Sequence, residues 1–402
     1  MNNIFLFLLL LASVSASAQT IGFSAKVVDK ETKEPLIFAS VGISGKPIGT
    51  ISNMQGDFDF YFSAEYSNDN LVISILGYNN FETPIWTILD SKNLVIEMIK
   101  STTVLQEIVV TDSLKGGDIL NIALSRIEQN YPMTPYMVDG FYRDIKKVGG
   151  VYISLLEAAV KIYDEDYKAP RNKFKLRERV ALLEVRRSLG YANKFTAYFD
   201  EDNLLEDLLL HNNVRYRQFP EEDIFFSSLV RESDSYYNGN EIFVVSQNRD
   251  YKLIVYIDKK SYSIIHLEYV NNQQETIGSK SGLVSKFASL KRVIDFREYN
   301  KKMYLNFLAV DSKINWYDAT TGELKFETEL YQQLLVNNIN PDPEERIGTT
   351  EKMRSYGLQH QDLNYNKKFW NNYNIIKESP LDRKIIEDLE KEGSLEKQFE
   401  KN

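Results

Sequence analysis

Cysteine is absent from all 402 residues. That excludes disulfides, a thiol nucleophile, a cysteine-ligated metal and lipid attachment through a cysteine. Histidine is scarce: His211, His266 and His360 lie far apart, and none has a partner at the H-x-x-E or H-E-x-x-H spacing of a catalytic zinc. No G-x-S-x-G elbow, P-loop or glycine fingerprint occurs, so serine hydrolase and nucleotide chemistry lose their sequence support. Beyond residue 18 no apolar run reaches the roughly 18 residues that a membrane-crossing helix needs. Basic charge is in the minority, with 48 Lys and Arg against 57 Asp and Glu and a net charge of -9. A phosphate backbone is repelled on average, so nucleic acid is not an expected partner.

What is present begins with Ile4 to Val14, an apolar run followed by Ala16-Ser17-Ala18. That order reads as a secretory signal over residues 1–18, with Gln19 the first mature residue and the protein exported. The 25 Tyr and 22 Phe raise the possibility of an outer-membrane barrel with aromatic girdles. Charge on both alternating faces, and a charged helical C-terminus from Asp388 to Asn402, argue against it.

From Lys26 to Phe60, Val27, Leu36, Phe38, Val41, Ile43, Ile48, Ile51, Phe58 and Phe60 recur in short alternating runs. Gly42, Gly45, Pro47, Gly49 and Gly56 punctuate them. Short strands between such breakers predict a small antiparallel sandwich. The stretch resembles the carboxypeptidase regulatory-like domain, a transthyretin-like sandwich found N-terminal to the plug of TonB-dependent transporters and in other envelope proteins. The likeness rests on Val28-Asp29, Pro35 to Val41, Gly49 to Asn53, Gly56-Asp57-Phe58, Leu71 to Tyr78 and Leu105 to Thr111; Ala25 stands where the family usually has glycine. It implies an envelope setting and brings no catalytic group, because the family takes its name from an appendage of carboxypeptidases. The sandwich is placed at residues 19–111.

A polar linker follows over residues 112–118, within which Asp112-Ser113-Leu114 matches an O-glycosylation acceptor at Ser113, although a solvated linker is the plainer account. Asp118 is placed as the cap of a helix carrying Ile119, Ile122, Ala123 and Ile127 on one face. Gly149-Gly150 between two β-prone runs predicts a tight hairpin. Asp202 to His211 is helical. Strands return at Ile242 to Val245, Leu253 to Ile257 and Ile264 to Tyr269. Two further hairpins pair Val293–Tyr299 with Met303–Val310 and Lys313–Tyr317 with Leu324–Leu330. The expected fold class is mainly β with α+β: a sandwich, then a larger α+β domain at 119–340 whose curved antiparallel sheet wraps helices. Residues 341–402 form an irregular segment, an aromatic stretch at Phe369 to Ile376 that docks on the body, and a charged helix after Pro380. In outline the second domain is similar to the half-barrel of periplasmic lipoprotein carriers, and Gly140 to Arg143, Tyr256 to Asp258 and Tyr304-Leu305 resemble an uncharacterised region that follows such sandwiches.

No catalytic, cofactor or metal residue is assigned. The acidic clusters Asp164 to Asp166 and Asp200 to Asp202 lack the calcium-loop pattern and read as solvated turns. Arg171, Lys173, Lys175, Arg177 and Arg179 form the one basic stretch, which could meet anionic lipid or an acidic partner, or could be a strand with one solvated face. The expected role is a non-catalytic binding or scaffolding module in the periplasm or at the outer membrane. Its partner would be an envelope protein, or an apolar or glycan ligand, with peripheral membrane contact possible. The alternatives are a carboxylate-dependent hydrolase of glycans or peptides and an accessory subunit of TonB-dependent uptake.

Overall fold

Every second side chain of Asp57–Ser63 is buried, with Phe58, Phe60 and Phe62 turned inward, as a strand with one face on a core requires. In the computed structural model, which describes residues 19–101, 114–192, 194–199, 203–353, 357–361, 363–377 and 383–401, this is the fourth of seven short strands. They are β1 (Thr20–Asp29), β2 (Ser40–Ile43), β3 (Gly49–Ile51), β4 (Asp57–Ser63), β5 (Asn70–Ser74), β6 (Phe81–Pro84) and β7 (Leu94–Met98). They form two sheets, β4-β1-β7 and β3-β2-β5-β6, closed on Val27, Val41, Phe60, Leu71, Ile73 and Ile96. The expected sandwich is present, with one departure: β7 runs parallel to β1. The signal-like residues 1–18, the Leu105 to Thr111 run and Ser113 lie outside the described residues.

Helix α1 (Gly116–Ser125) starts two residues before the expected cap. Asp118 occupies the third helical position, where its carboxylate accepts from the backbone N–H of Lys115 at 3.1 Å. Gly116 and Gly117, read as linker, are instead the point where the helix meets its neighbour: a Cβ on either would strike the backbone of Leu229–Val230 or of Phe226. Helix α2 (Ile127–Asn130) follows, then β8 (Tyr136–Val148) and β9 (Val151–Asp164), joined through Gly149 and Gly150 at φ of 55° and 84°. That hairpin is as the sequence predicts.

The remainder adds β10 (Arg179–Arg187), helices α3 (Leu204–Leu210), α4 (Asn213–Tyr216) and α5 (Asp223–Ser228), and strands β11 (Val230–Arg231), β12 (Ser235–Tyr237), β13 (Asn240–Asn248), β14 (Lys252–Asp258), β15 (Ile264–Asn271) and β16 (Thr276–Lys280). Next come three strands of 17 residues each, β17 (Leu283–Tyr299), β18 (Lys302–Asp318) and β19 (Leu324–Asn340). The two hairpins expected here are one continuous meander, because β18 runs unbroken through Asp311 and Ser312 with partners on both sides. The sheet order is β10-β9-β8-β19-β18-β17-β15-β14-β13-β11, with β12 beside β13 and β16 beside β17. It is antiparallel throughout and not closed into a barrel.

Alternation divides the sheet's side chains between two faces. On one, Ile119, Leu120 and Ala123 of α1 and Leu205, Leu208 and Leu209 of α3 pack against Tyr142, Leu156, Val160, Leu308 and Leu334. This face of the sheet, the inner side in the half-barrel likeness, is therefore packed with helix side chains. On the other face Phe141, Ala159, Phe307, Ala309 and Leu335 meet Ile51 of the sandwich and Trp370 and Ile376 of the C-terminal segment. That segment carries α6 (Lys367–Trp370), α7 (Arg383–Leu389) and α8 (Leu395–Phe399).

The sandwich is thus seated on the sheet. Ile339 N–H donates to the Pro47 carbonyl at 3.1 Å, and Arg297 Nη2 donates to the same oxygen at 2.8 Å. Asn374 closes the gap beside β4, accepting from Tyr61 N–H at 2.8 Å and donating to Tyr61 O at 2.9 Å, which satisfies an edge strand with a side chain. Gly49 is required because a Cβ there would overlap the Arg297 guanidinium and approach Val41 O at 2.9 Å. Gly49→Val should displace Arg297 and loosen the seat, costing about 1–3 kcal/mol in denaturant unfolding. An unchanged midpoint would show that this contact is slack.

Candidate functional site

Clefts lie along the seam between sandwich and sheet. The first, about 370 Å³, is floored by alternate residues of four neighbouring strands. These are Arg143 and Ile145 of β8, Lys291 and Val293 of β17, Ala309 and Asp311 of β18, and Glu329, Tyr331 and Gln333 of β19. Residues i and i+2 share a face, so the sheet's pleat alone brings them together. Phe38, Asn53 and Met54 of the sandwich form one wall, and Ile376 and Ile385 of the C-terminal segment another.

The carboxylates of this cleft differ. Burial and the neighbouring Glu329 raise Asp311 above the usual carboxylate range, and its Oδ1 has no hydrogen-bond partner among the described residues. Burial acts on Glu329 too, but Lys313 at 2.7 Å and Lys147 at 3.3 Å outweigh it and hold Glu329 low. Lys291 stands directly across from Asp311 in the β17–β18 register and has no carboxylate within 4.0 Å among the described residues.

Beneath one end of the cleft, Glu157 is fully buried between two guanidinium groups. Arg143 Nε donates to its Oε1 at 2.6 Å and Arg186 Nε to its Oε2 at 2.5 Å. Burial opposes the charge, yet the two arginines hold Glu157 below the usual range. Arg143 Nη2 also donates to Ile376 O at 3.1 Å, and Arg186 lies 4.5 Å over the Trp370 ring. This ion triad pins the C-terminal segment to the sheet.

A second cleft of about 290 Å³ sits on the far side of Phe38 and contains His266. Its ring nitrogens lie 3.2 Å from Asp295 Oδ1 and 3.3 Å from Glu268 Oε1. Burial disfavours the imidazolium, but both carboxylates favour it more, so His266 is pushed up to about 9. A third cleft, about 360 Å³, is lined by Ser40, Ser44, Ser74, Ser261, Ser263 and Arg297. Among the described residues, no group of three or more His, Asp or Glu could hold a metal ion.

The five basic residues singled out from sequence do not converge. The backbone from Arg171 to Glu178 is irregular, with β10 starting only at Arg179. Arg177 bonds Asp166 at 3.1 Å, Arg179 donates to Ile347 O at 3.1 Å and Lys173 pairs with Glu221 at 2.6 Å. Arg171 and Lys175 are exposed beside Phe174, itself 81% exposed. Of the acidic clusters, Asp164 to Asp166 is used in ion pairs with Arg215 and Arg177; Asp200 to Asp202 lies outside the described residues. Trp316 and Trp370 are buried in the packing of the second domain.

Nothing in the sequence marks the Arg143–Glu157 pair. Counting outward from Gly149-Gly150 places Leu156 opposite Arg143, and only an irregularity that leaves Ile153 without a partner shifts the register by one and brings Glu157 there. Asp311 and Lys291 give no local signal either. They depend on a long-range docking.

A buried carboxylate pair does exist, at Asp164 and Glu178. Arg215 bonds Asp164 at 2.5 and 2.9 Å and lies 4.0 Å from Glu178, which also accepts from the Tyr216 hydroxyl. Neither carboxylate lines any of these clefts. Burial, then Asp164, push Glu178 up to about 7. Since its ordinary value is 4.5, the folded state keeps this proton where the unfolded chain has lost it. The contribution is full below that ordinary value and falls away as pH rises through about 7. Glu178→Gln, which still accepts from Tyr216, should flatten the decline in urea-unfolding stability between about pH 5 and about pH 8. Glu157→Gln, which leaves two guanidinium groups sharing no charge, should cost about 3–5 kcal/mol in the same assay.

No curated protein matches this sequence. Among solved structures, one of lipid–protein interactions in lipovitellin matches at 10% identity and a TM-score of 0.24, covering 53% of this chain and 26% of that one; this chain thus spans about a quarter of that protein. MucB in complex with MucA(peri) matches at 11% identity and 0.17, covering 57% and 99% of the respective chains, and MucB alone at 11% and 0.20, covering 56% and 98%. A protein of unknown function from Bacteroides fragilis NCTC 9343 matches at 11% and 0.16, covering 80% and 98%. Scores this low carry no argument about fold or function. The family result is firmer, because residues 23–110 match the model of the CarboxypepD_reg-like domain, so the sandwich of this chain is a carboxypeptidase regulatory-like domain followed by a larger domain of mixed α and β structure.

Proposed function

We propose that this protein is an exported, non-catalytic binding or scaffolding component of the cell envelope, working in the periplasm or at the outer membrane. One observation carries the binding reading: the three clefts described above all lie along the seam, with walls from both sandwich and sheet. A ligand or peptide segment lodged there touches both domains at once and reads their relation. The regulatory-like sandwich supports the envelope setting, and the signal-like order of residues 1–18 supports export. Uptake-complex membership is one form this role could take, with a TonB-dependent transporter as the partner.

A second reading has its own observation. Asp311 and Glu329 line one cleft with their proton affinities pushed in opposite directions, the pattern of an acid and a base assigned by environment. Against it, Glu329 is tied to two lysines and so is a poor base.

Crosslinking in intact envelope, followed by mass spectrometry, should recover the mature chain beginning at Gln19 together with a reproducible envelope partner. Retention of Met1 in the cytosol would contradict export. Turnover of a glycan or peptide by pure protein, lost in Asp311→Asn, would replace binding with hydrolysis.

A further inference from the structure

We infer that the 370 Å³ cleft takes an amphiphile with an apolar body and a single anionic head, the head seated at Lys291. This rests on the binding reading above and names the ligand class for that site. The volume falls at the lower end of small-molecule pockets, which span about 300–1,000 Å³.

The apolar body is accommodated by Phe38 and Met54 from the sandwich, Val293 and Ala309 from the sheet, and Ile376 and Ile385 from the C-terminal segment. Met54 is 44% exposed. An apolar chain laid there would cover surface that now meets water.

Charge selects the head. The connected ionic groups at the cleft floor and just beneath it are Lys147, Lys291, Lys313, Arg143 and Arg186 against Glu157, Glu327, Glu329 and Asp311. Glu157 serves two arginines and Glu329 two lysines, so cations are in surplus in a chain whose net charge is -9. Lys291 is the cation of this group that carries no ion pair among the described residues, and it is exposed at the cleft. Asp311, opposite it, has one oxygen unpartnered among the described residues, and burial and Glu329 raise it above the usual carboxylate range although Lys313, Lys291 and Lys147 pull the other way, so it does not tie up Lys291 as a close ion pair. A carboxylate, sulfonate or phosphate head beside Lys291 gains a charge-assisted hydrogen bond. An ammonium head would meet the surplus cations instead.

The test uses the full mature chain and three probes of equal length, decanoate, decylamine and decanol, titrated calorimetrically below their aggregation concentrations. Decanoate should bind at one site, about tenfold or more tighter than decylamine, and weaken with added salt. Lys291→Gln should lose that preference while decanol binding holds, and because Lys291 is exposed and glutamine adds no negative charge beside Asp311 and Glu329 the variant should melt close to the parent. Ala309→Leu, which fills the floor, should weaken decanoate and decanol alike. The inference is overturned if decylamine binds as well as decanoate, or if Lys291→Gln leaves decanoate binding unchanged. It is also overturned if no probe binds while crosslinking still recovers an envelope partner, a result that leaves the broader binding reading standing.

Discussion

The seat of Phe38 on the open middle of the large sheet is the contact from which the rest of the molecule's arrangement follows. Its ring lies 4.8 Å from that of Phe307, and its backbone is held at φ 57°, a left-handed conformation that costs a bulky L-residue roughly 1–2 kcal/mol. Such strain persists only where the surroundings over-determine it. Here Phe38 N–H donates to Ser52 O at 3.1 Å, while the Ser52 hydroxyl donates to Leu36 O at 2.7 Å and accepts from Ala39 N–H at 2.9 Å. The turn is locked from both sides, so the ring projects from the sandwich as a wedge. The first two clefts are the spaces left on either side of it, since Phe38 lines both.

A sheet face that carries Arg143, Glu157, Lys291, Asp295 and Asp311 would ordinarily be a solvent face. Covering it with a second domain forces each charge to find a partner or stay at the edge of a cleft. Glu157 is answered by two arginines, Asp295 by His266 and Asn306, and Glu329 by two lysines. The same arginines hold the C-terminal segment, whose Asn374 in turn completes the edge of the sandwich. Sandwich, sheet and tail are thus coupled through one set of polar contacts. Lys291 and Asp311 are the members left over, and they lie where space remains.

Much of the fold was legible because period-two alternation and glycine turns are local signals. The sandwich strands, the Gly149-Gly150 hairpin, the helix at Leu204–Leu210 and the docking of Trp370 and Ile376 could all be read from spacing. The meander of β17, β18 and β19 was cut short at Asp311 and Ser312, since charged and hydroxyl residues on a face that another domain covers look like a turn. Gly116 and Gly117 misled for a similar reason: a helix packed hard against Phe226 and Leu229 needs glycine just as a linker would. The five residues of the basic stretch go separate ways in the structure, because sequence proximity says nothing about which guanidinium finds Asp166, which finds Ile347 O and which stays in water. The cleft was not legible at all. It requires knowing that two domains meet face to face.

The central claim is that the sandwich is held in one orientation on the sheet, which fixes the clefts as sites. The chain's lack of cysteine makes a direct test simple, since spin labels can be placed at single introduced cysteines without interference. Exposed Val95 on the sandwich and Leu324 at the start of β19 suit a pulsed dipolar distance measurement in solution. The account predicts one narrow distance distribution, broadened when Phe38 and Gly49 are replaced together. A broad or multimodal distribution in the unaltered chain would mean that the two domains are not locked and that the clefts between them are not standing sites.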